Sequence, residues 1–326
     1  MENFKAIDFP QSRDFSRKMN ATFEFIRQNF KPLCKSILFI AGPPVLIASL
    51  LLGTFMDDFM GLTRAGAANP DAAANYFLSV SFWLQMIMMF VFLLVSSVMT
   101  LATINSYIIL YIEKQSNQIE VNDVWDRVRS SFWMYLGTCF MFVVLVVAGY
   151  IVLIIPFALL AAVTPVLVVF GGIAFGCAMF YLFFSASLTF FIRSYEKKGF
   201  FEAISRSYKL IRGKWWSTFG LLMILYFIMA TISYIFMIPY YVITVVGTLH
   251  TIETGAFQEP SSNVQLIMII SFTLYYMAQM LLNTLPNVGI AFQYFNLVEL
   301  KEARGLISQI DTVGETQQPL SSEEQY

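Results

Sequence analysis

The lysines and arginines of this chain fall almost wholly into four clusters, and the stretches between the clusters are apolar and long enough to cross a bilayer. Seven precede the first apolar stretch (Lys5, Arg13, Arg17, Lys18, Arg27, Lys31, Lys35) and three lie at Lys114, Arg127 and Arg129. Seven more run from Arg193 to Lys214, and two follow the last stretch (Lys301, Arg304). The alternate connections carry Arg64 alone. Nineteen against one is the asymmetry described by the positive-inside rule. It predicts an all-α, polytopic membrane protein with six transmembrane helices, seated in the cell's inner (plasma) membrane with both termini cytoplasmic.

Composition excludes other classes. With 58% hydrophobic and 13% charged residues, the chain lies outside the usual range of soluble domains. The basic runs flank apolar helices beside an anionic lipid surface, so nucleic acid is not the expected partner. Cys34, Cys139 and Cys177 sit in or at the edge of apolar spans and read as small hydrophobes. The first apolar span begins near Leu33, after a polar stretch too long for a signal-peptide n-region, so no cleavable leader is expected.

The expected spans are 33–56, 77–112, 132–155, 166–192, 216–248 and 264–299, forming a transmembrane domain over 1–308. Residues 309–326 lack periodicity and apolar content and are expected to be a disordered cytoplasmic tail. Pro43–Pro44, Pro239 and Pro286 are kink sites in spans one, five and six. Pro156 and Pro165 bracket the turn between spans three and four, Gly61–Asn75 reads as a flexible outer loop with a turn at Asn69–Pro70, and Gly172 and Gly176 read as a small-residue packing pair.

An amphipathic helix precedes each odd-numbered span. Phe15, Met19, Phe23, Ile26 and Phe30 share one face of residues 15–31, and Val121, Val124, Trp125, Val128 and Phe132 share one of 121–132. Phe200, Ile204, Tyr208, Ile211 and Trp215 do so in 200–215. Basic, aromatic helices of this kind lie in the membrane interface. The chain reads as three pseudo-repeats, each an interfacial cytoplasmic helix followed by an outward and a return span.

The inventory of chemistry is thin. His250 is the only histidine, too few for a typical zinc or non-haem iron site, and there is neither a nucleophile elbow nor a phosphate-cradling loop. No catalytic residue, no metal site and no cofactor is expected, and the chain is not expected to be an enzyme. Two groups of residues stand out. Lys197, Lys198, Arg206, Lys209, Arg212, Lys214 and Trp215 are candidates for contact with lipid headgroups, or simply for interfacial anchoring. Gln85, Gln279, Asn283, Asn287 and Gln293 are polar candidates inside the membrane, either as interhelical hydrogen-bonding glue or as the lining of a pathway.

The stretch A-I-S-R-S-Y-K-L-I-R-G-K-W-W (Ala203–Trp216), leading into a transmembrane helix, resembles the membrane domain of bacterial glycerophosphoryl diester phosphodiesterases and of YciC-like uncharacterised inner-membrane proteins. Asn287–Glu302 is similar to the closing segment of those proteins. The resemblance implies a free-standing membrane module, since nothing here corresponds to the catalytic barrel of the phosphodiesterases. The functional expectation is a non-catalytic scaffold or lipid-interacting partner of envelope proteins. Its partners would be membrane lipids with anionic headgroups and other membrane proteins, and no nucleic acid. A permease or flippase-like transporter using the polar faces of spans two and six is the alternative.

Overall fold

A computed structural model of the chain describes residues 6–68, 70–254 and 261–303. Among these residues the regular elements are helices, with no strand. The first third forms α1 (Phe15–Ile40), α2 (Gly42–Ala68), α3 (Pro70–Leu78) and α4 (Val80–Lys114). The middle forms α5 (Val121–Val163), α6 (Pro165–Ser185) and α7 (Thr189–Tyr195). The last third forms α8 (Phe200–Ile211), α9 (Trp215–Tyr234), α10 (Ile238–Thr254), α11 (Ser262–Leu282) and α12 (Thr284–Glu302). Five stretches are long and apolar enough to cross a bilayer. A sixth arises where α1 and α2, bent by 60° against each other, are taken together. The protein is an all-α polytopic membrane protein.

The three units begin differently, which departs from the expected run of three short interfacial helices. α1 does not stop at residue 31 but continues through Pro32 to Ile40, and the bend falls at Ala41, just before Pro43–Pro44. The second amphipathic stretch is not a separate helix at all. α5 runs unbroken for 43 residues, about 65 Å at ~1.5 Å per residue. No Gly or Pro lies at the junction near Phe132, so nothing interrupts the backbone ladder there. Only α8 stands alone, cut from α9 by Gly213, whose φ of +83° suits a residue without a Cβ.

Other boundaries move for equally local reasons. Most of the expected outer loop at 61–75 is helical: Ala65, Ala67, Ala68 and Ala72–Ala74 favour helix, and Pro70 occupies the first position of α3. Pro156 lies inside α5, so the turn between spans three and four contracts to Thr164, whose hydroxyl caps α6 at the amide of Leu167. Span five breaks into a 3-10 turn at Ile235–Met237 before Pro239, and span six breaks at Asn283, three residues before Pro286. The tail at 309–326 lies outside the described residues.

The core sits at the basic end of the bundle. Phe25, Tyr107, Tyr111, Phe191, Phe292 and Tyr294 are almost fully buried where α1, α4, α7 and α12 converge. Towards the other end α2 packs on α4 and α11, and α10 packs on α11 through Met237, Tyr240 and Met268. The hairpin of α5 and α6 stands apart there, exposing Val143–Val147, Tyr150, Val169, Phe170 and Ile173. Gly172 and Gly176 lie on this outer surface, where an added methyl would meet nothing within 4 Å. The expected small-residue packing pair therefore meets no neighbouring helix among the described residues.

Candidate functional site at the basic end

An ion-pair knot closes the basic end. Glu196 follows the last turn of α7, and Lys197, at φ +55°, turns the chain into Gly199, the N-cap of α8. This reversal lays α8 against α12, which supplies Tyr294 and, two turns later, Glu302. Arg206 Nε donates to Glu196 Oε1 at 2.5 Å, while its two terminal nitrogens donate to Glu302 Oε1 and Oε2 at 2.7 and 3.1 Å. The Tyr294 hydroxyl donates to Glu196 Oε1 at 2.5 Å, and Lys198 Nζ lies 3.1 Å from Glu196 Oε2. Burial penalises the charge on Glu196, but hydrogen bonds from Tyr294, Arg206 and Lys198 outweigh it and hold the carboxyl below its usual range. Arg206 is shifted upward, chiefly by its hydrogen bonds to Glu302. Lys301 Nζ clamps the same corner by donating to the carbonyls of Lys209 and Arg212 at 2.5 and 2.9 Å.

α8 therefore has three faces. Phe200, Ala203, Ser207, Leu210 and Ile211 are buried against the protein. Of the sequence-predicted apolar stripe, Phe200 and Ile211 belong to this protein-facing side, and Tyr208 is left 41% exposed. Phe201 and Tyr208 form an outward apolar flank, with Ile204 half-buried between the two faces. The third, polar flank lines an open groove of about 480 Å³ with Lys198, Phe201, Glu202, Ser205, Arg206 and Lys209.

The seven lipid-interface candidates divide on this geometry. Arg206 and Lys198 are engaged with carboxylates. Trp215 stacks on Phe219 at 5.1 Å and donates from its indole nitrogen to the Tyr181 carbonyl at 3.3 Å. Lys197, Lys209, Arg212 and Lys214 are exposed and form no ion pair among the described residues. The outward tryptophan is Trp216, 77% exposed, which sequence reasoning passed over in favour of its neighbour.

The intramembrane candidates are not gathered into one place. Gln85 donates to Asp58 Oδ2 at 3.1 Å, near the far end of the bundle. Gln279 donates to Tyr275 OH at 2.9 Å on its own helix. Asn287 Nδ2 donates to the carbonyl of Asn283, the residue at the break before α12, at 2.7 Å. Gln293 faces a different group. Its Oε1 accepts from Lys18 Nζ at 2.7 Å and its Nε2 donates to Thr218 Oγ1 at 2.8 Å, while Lys18 also reaches Ser217 Oγ at 3.0 Å. This pin joins α1, α9 and α12, and Lys18 is 1% exposed with no carboxylate in ion-pairing range among the described residues.

Sequence reasoning missed Lys18 as a buried group because it was counted with the charges that set topology. A second stripe carried the information: Lys18, Thr22, Phe25, Asn29, Leu33 and Ser36 recur at helical spacing and are all buried. The aromatic stripe, read as the face turned to the membrane interface, points outward, with Phe15, Phe23 and Phe30 at least 40% exposed. The segment before α1 was missed too. Phe9 is fully buried, stacks on Phe292 at 4.4 Å and meets Phe25, Tyr111 and Phe295 edge-on. Ile7 N donates to Tyr111 OH at 2.9 Å, Arg13 N donates to Asn296 Oδ1 at 2.7 Å, and the Arg13 guanidinium lies 5.2 Å over Phe292.

Among the described residues no three His, Cys, Asp or Glu side chains are grouped as ligands to a metal would be, and His250 is exposed at the end of α10. No curated protein and no solved structure matches the chain. A family described as a domain of unknown function (DUF7847) matches residues 35–286. That stretch takes in α2 to α11 and well over half of the chain, so the protein belongs to the DUF7847 family.

Proposed function

We propose that this protein is a non-catalytic scaffold of the inner membrane that holds anionic lipid at its basic, cytoplasmic end. The observation that carries the reading is the exposed arc of Lys209, Arg212 and Lys214, free of ion pairs among the described residues and flanked by outward Phe201, Tyr208 and Trp216. Aromatic rings at the headgroup level with cations beside them match the chemistry of an anionic leaflet. Each such cation contributes about 1 kcal/mol near the surface, so the three together correspond to roughly a hundredfold preference for anionic over neutral lipid. The cytoplasmic placement rests on the same nineteen-to-one distribution of basic residues.

The transport alternative has less support. The polar residues of spans two and six hydrogen-bond mostly within their own helices, and two surface grooves, one along α8 and one beside Arg13 and Asn296, open at the basic end. The non-catalytic part of the reading rests on the residue inventory and on the likeness of Ala203–Trp216 to a membrane module that lacks its hydrolase.

Mass spectrometry of the intact, detergent-extracted protein tests the lipid reading. K209Q/R212Q/K214Q should retain far less phosphatidylglycerol than the parent, with phosphatidylethanolamine unchanged. Equal retention by the two proteins would remove the lipid reading. Labelling of a single cysteine at position 209 by an impermeant reagent in intact cells would overturn the orientation.

A further inference from the structure

The last turn of α12 is fixed against α8: Glu302 grips Arg206 with both carboxylate oxygens, and Lys301 holds the carbonyls of Lys209 and Arg212. The chain therefore leaves the described bundle at Ala303, in a left-handed turn at φ +48°, directly beside the polar flank of α8. The remaining sequence is strongly one-signed. Residues 305–326 contain Asp311, Glu315, Glu323 and Glu324 and no lysine or arginine. The surface at the exit has the opposite sign. Lys197, Lys209, Arg212 and Lys214 are exposed and outside any ion pair among the described residues, and Glu202 is the one carboxylate lining the groove between Lys198 and Lys209.

We propose that the acidic segment Asp311–Glu324 of this chain docks on the cationic flank of α8 and competes there with anionic lipid. The proposal rests on the lipid reading and adds an internal competitor to it. Reach permits it. Seven residues, or eight Cα–Cα steps, lie between Ala303 and Asp311, with a root-mean-square span of about 16 Å and a limit near 28 Å. α8, at 12 residues, is about 18 Å long. A tether of this length holds its charges at millimolar effective concentration, so individually weak contacts suffice for occupancy. The contact is electrostatic and loosens as salt shortens the Debye length. Exposed Ser205 and Lys209 lie on the groove floor, where the docked segment passes.

The test uses the full chain in nanodiscs containing phosphatidylglycerol. A photoreactive benzoylphenylalanine replacing Ser205 should cross-link to peptides from residues 305–326 of the same molecule, and the yield should fall at high salt. Mixing isotopically light and heavy protein separates contacts within a chain from those between copies. Cross-links to lipid alone, to another part of the chain, or to the tail of a second copy would each overturn the proposal. In parallel, D311N/E315Q/E323Q/E324Q should raise phosphatidylglycerol retention about threefold, as removal of a tethered competitor requires. Unchanged retention in that variant also counts against the proposal. If K209Q/R212Q/K214Q sheds no lipid, the lipid reading fails while the cross-link still decides where the tail lies. If the triple variant sheds lipid but no tail cross-link forms, the tail proposal alone falls.

Discussion

Replacing Arg206 with glutamine removes the centre of the knot while keeping a side chain of similar length. Three charge-assisted hydrogen bonds are lost, one to Glu196 and two to Glu302. The side chains are 15%, 9% and 27% exposed for Arg206, Glu196 and Glu302, so this is neither a surface pair nor a fully buried one. Surface pairs contribute ~0–1 kcal/mol, whereas removing one partner of a buried pair costs ~3–5 kcal/mol. The expected loss is about 2–3 kcal/mol, most of it from leaving Glu196 with only Tyr294 and Lys198. In a chain of this size that corresponds to a fall in apparent melting temperature of roughly 4–8 °C. The assay is fluorescence-detected size exclusion after graded heating in detergent, with E302Q and the double variant completing a cycle. R206Q and E302Q should be non-additive by at least ~1 kcal/mol because they share one contact. The pH dependence adds a second check. Glu196 is held below its ordinary range, so its contribution is complete above the unfolded carboxylate value of ~4.3 and is lost as pH falls through the lower folded value. The gap between parent and R206Q should persist from neutral pH to about 5 and close below about 4. Additive single variants, or a gap that is flat down to acid pH, would refute the assignment of this knot as a coupled unit.

Three other outcomes are expected from named contacts. Phe9→Ala removes a fully buried ring stacked on Phe292 and should cost about 3–5 kcal/mol, read as loss of monodisperse protein on heating. Gly289→Ala would place a Cβ 2.3 Å from Leu225 Cδ1, with Leu225 itself fully buried; the yield of folded protein should drop, and Leu225→Ala should restore it. Lys18→Met keeps the length of the side chain but removes a buried charge that has no carboxylate partner among the described residues. It should change thermal stability by only ~1 kcal/mol in either direction, whereas Lys18→Ala should cost more by leaving a cavity beside Gln293.

Much of the architecture was legible because membrane topology depends on coarse, repeated signals. Long apolar stretches are averages over many residues, and no single contact can reverse them. Boundaries were less legible where the outcome hung on one residue. The junction near Phe132 stayed helical for want of a Gly or Pro, while Gly213 broke the corresponding junction in the third unit. The protein-facing side of α1 was missed for a different reason. A helix packed against protein on one side and lipid on the other has two apolar environments, and only the protein side tolerates Thr22, Asn29 and Lys18. Reading only the aromatic stripe, as the face turned to the membrane interface, left the polar-containing stripe that packs on the protein unremarked.

The candidate site was legible as a region and not as a set of roles. Seven basic residues between Arg193 and Lys214 give one topogenic signal in sequence, yet they occupy different positions in space. Arg193 donates to the carbonyl of Met134, Arg206 and Lys198 neutralise Glu196, and Lys209, Arg212 and Lys214 face outward. What separates them is the position of two carboxylates, Glu196 and Glu302, that lie ten residues before and ninety-six after Arg206. No local pattern links those three positions. The family match spans Glu196 and Arg206 but ends at Pro286, before Tyr294 and Glu302. The side chains that close the knot, Tyr294 and Glu302, thus come from the part of α12 that lies beyond the matched stretch.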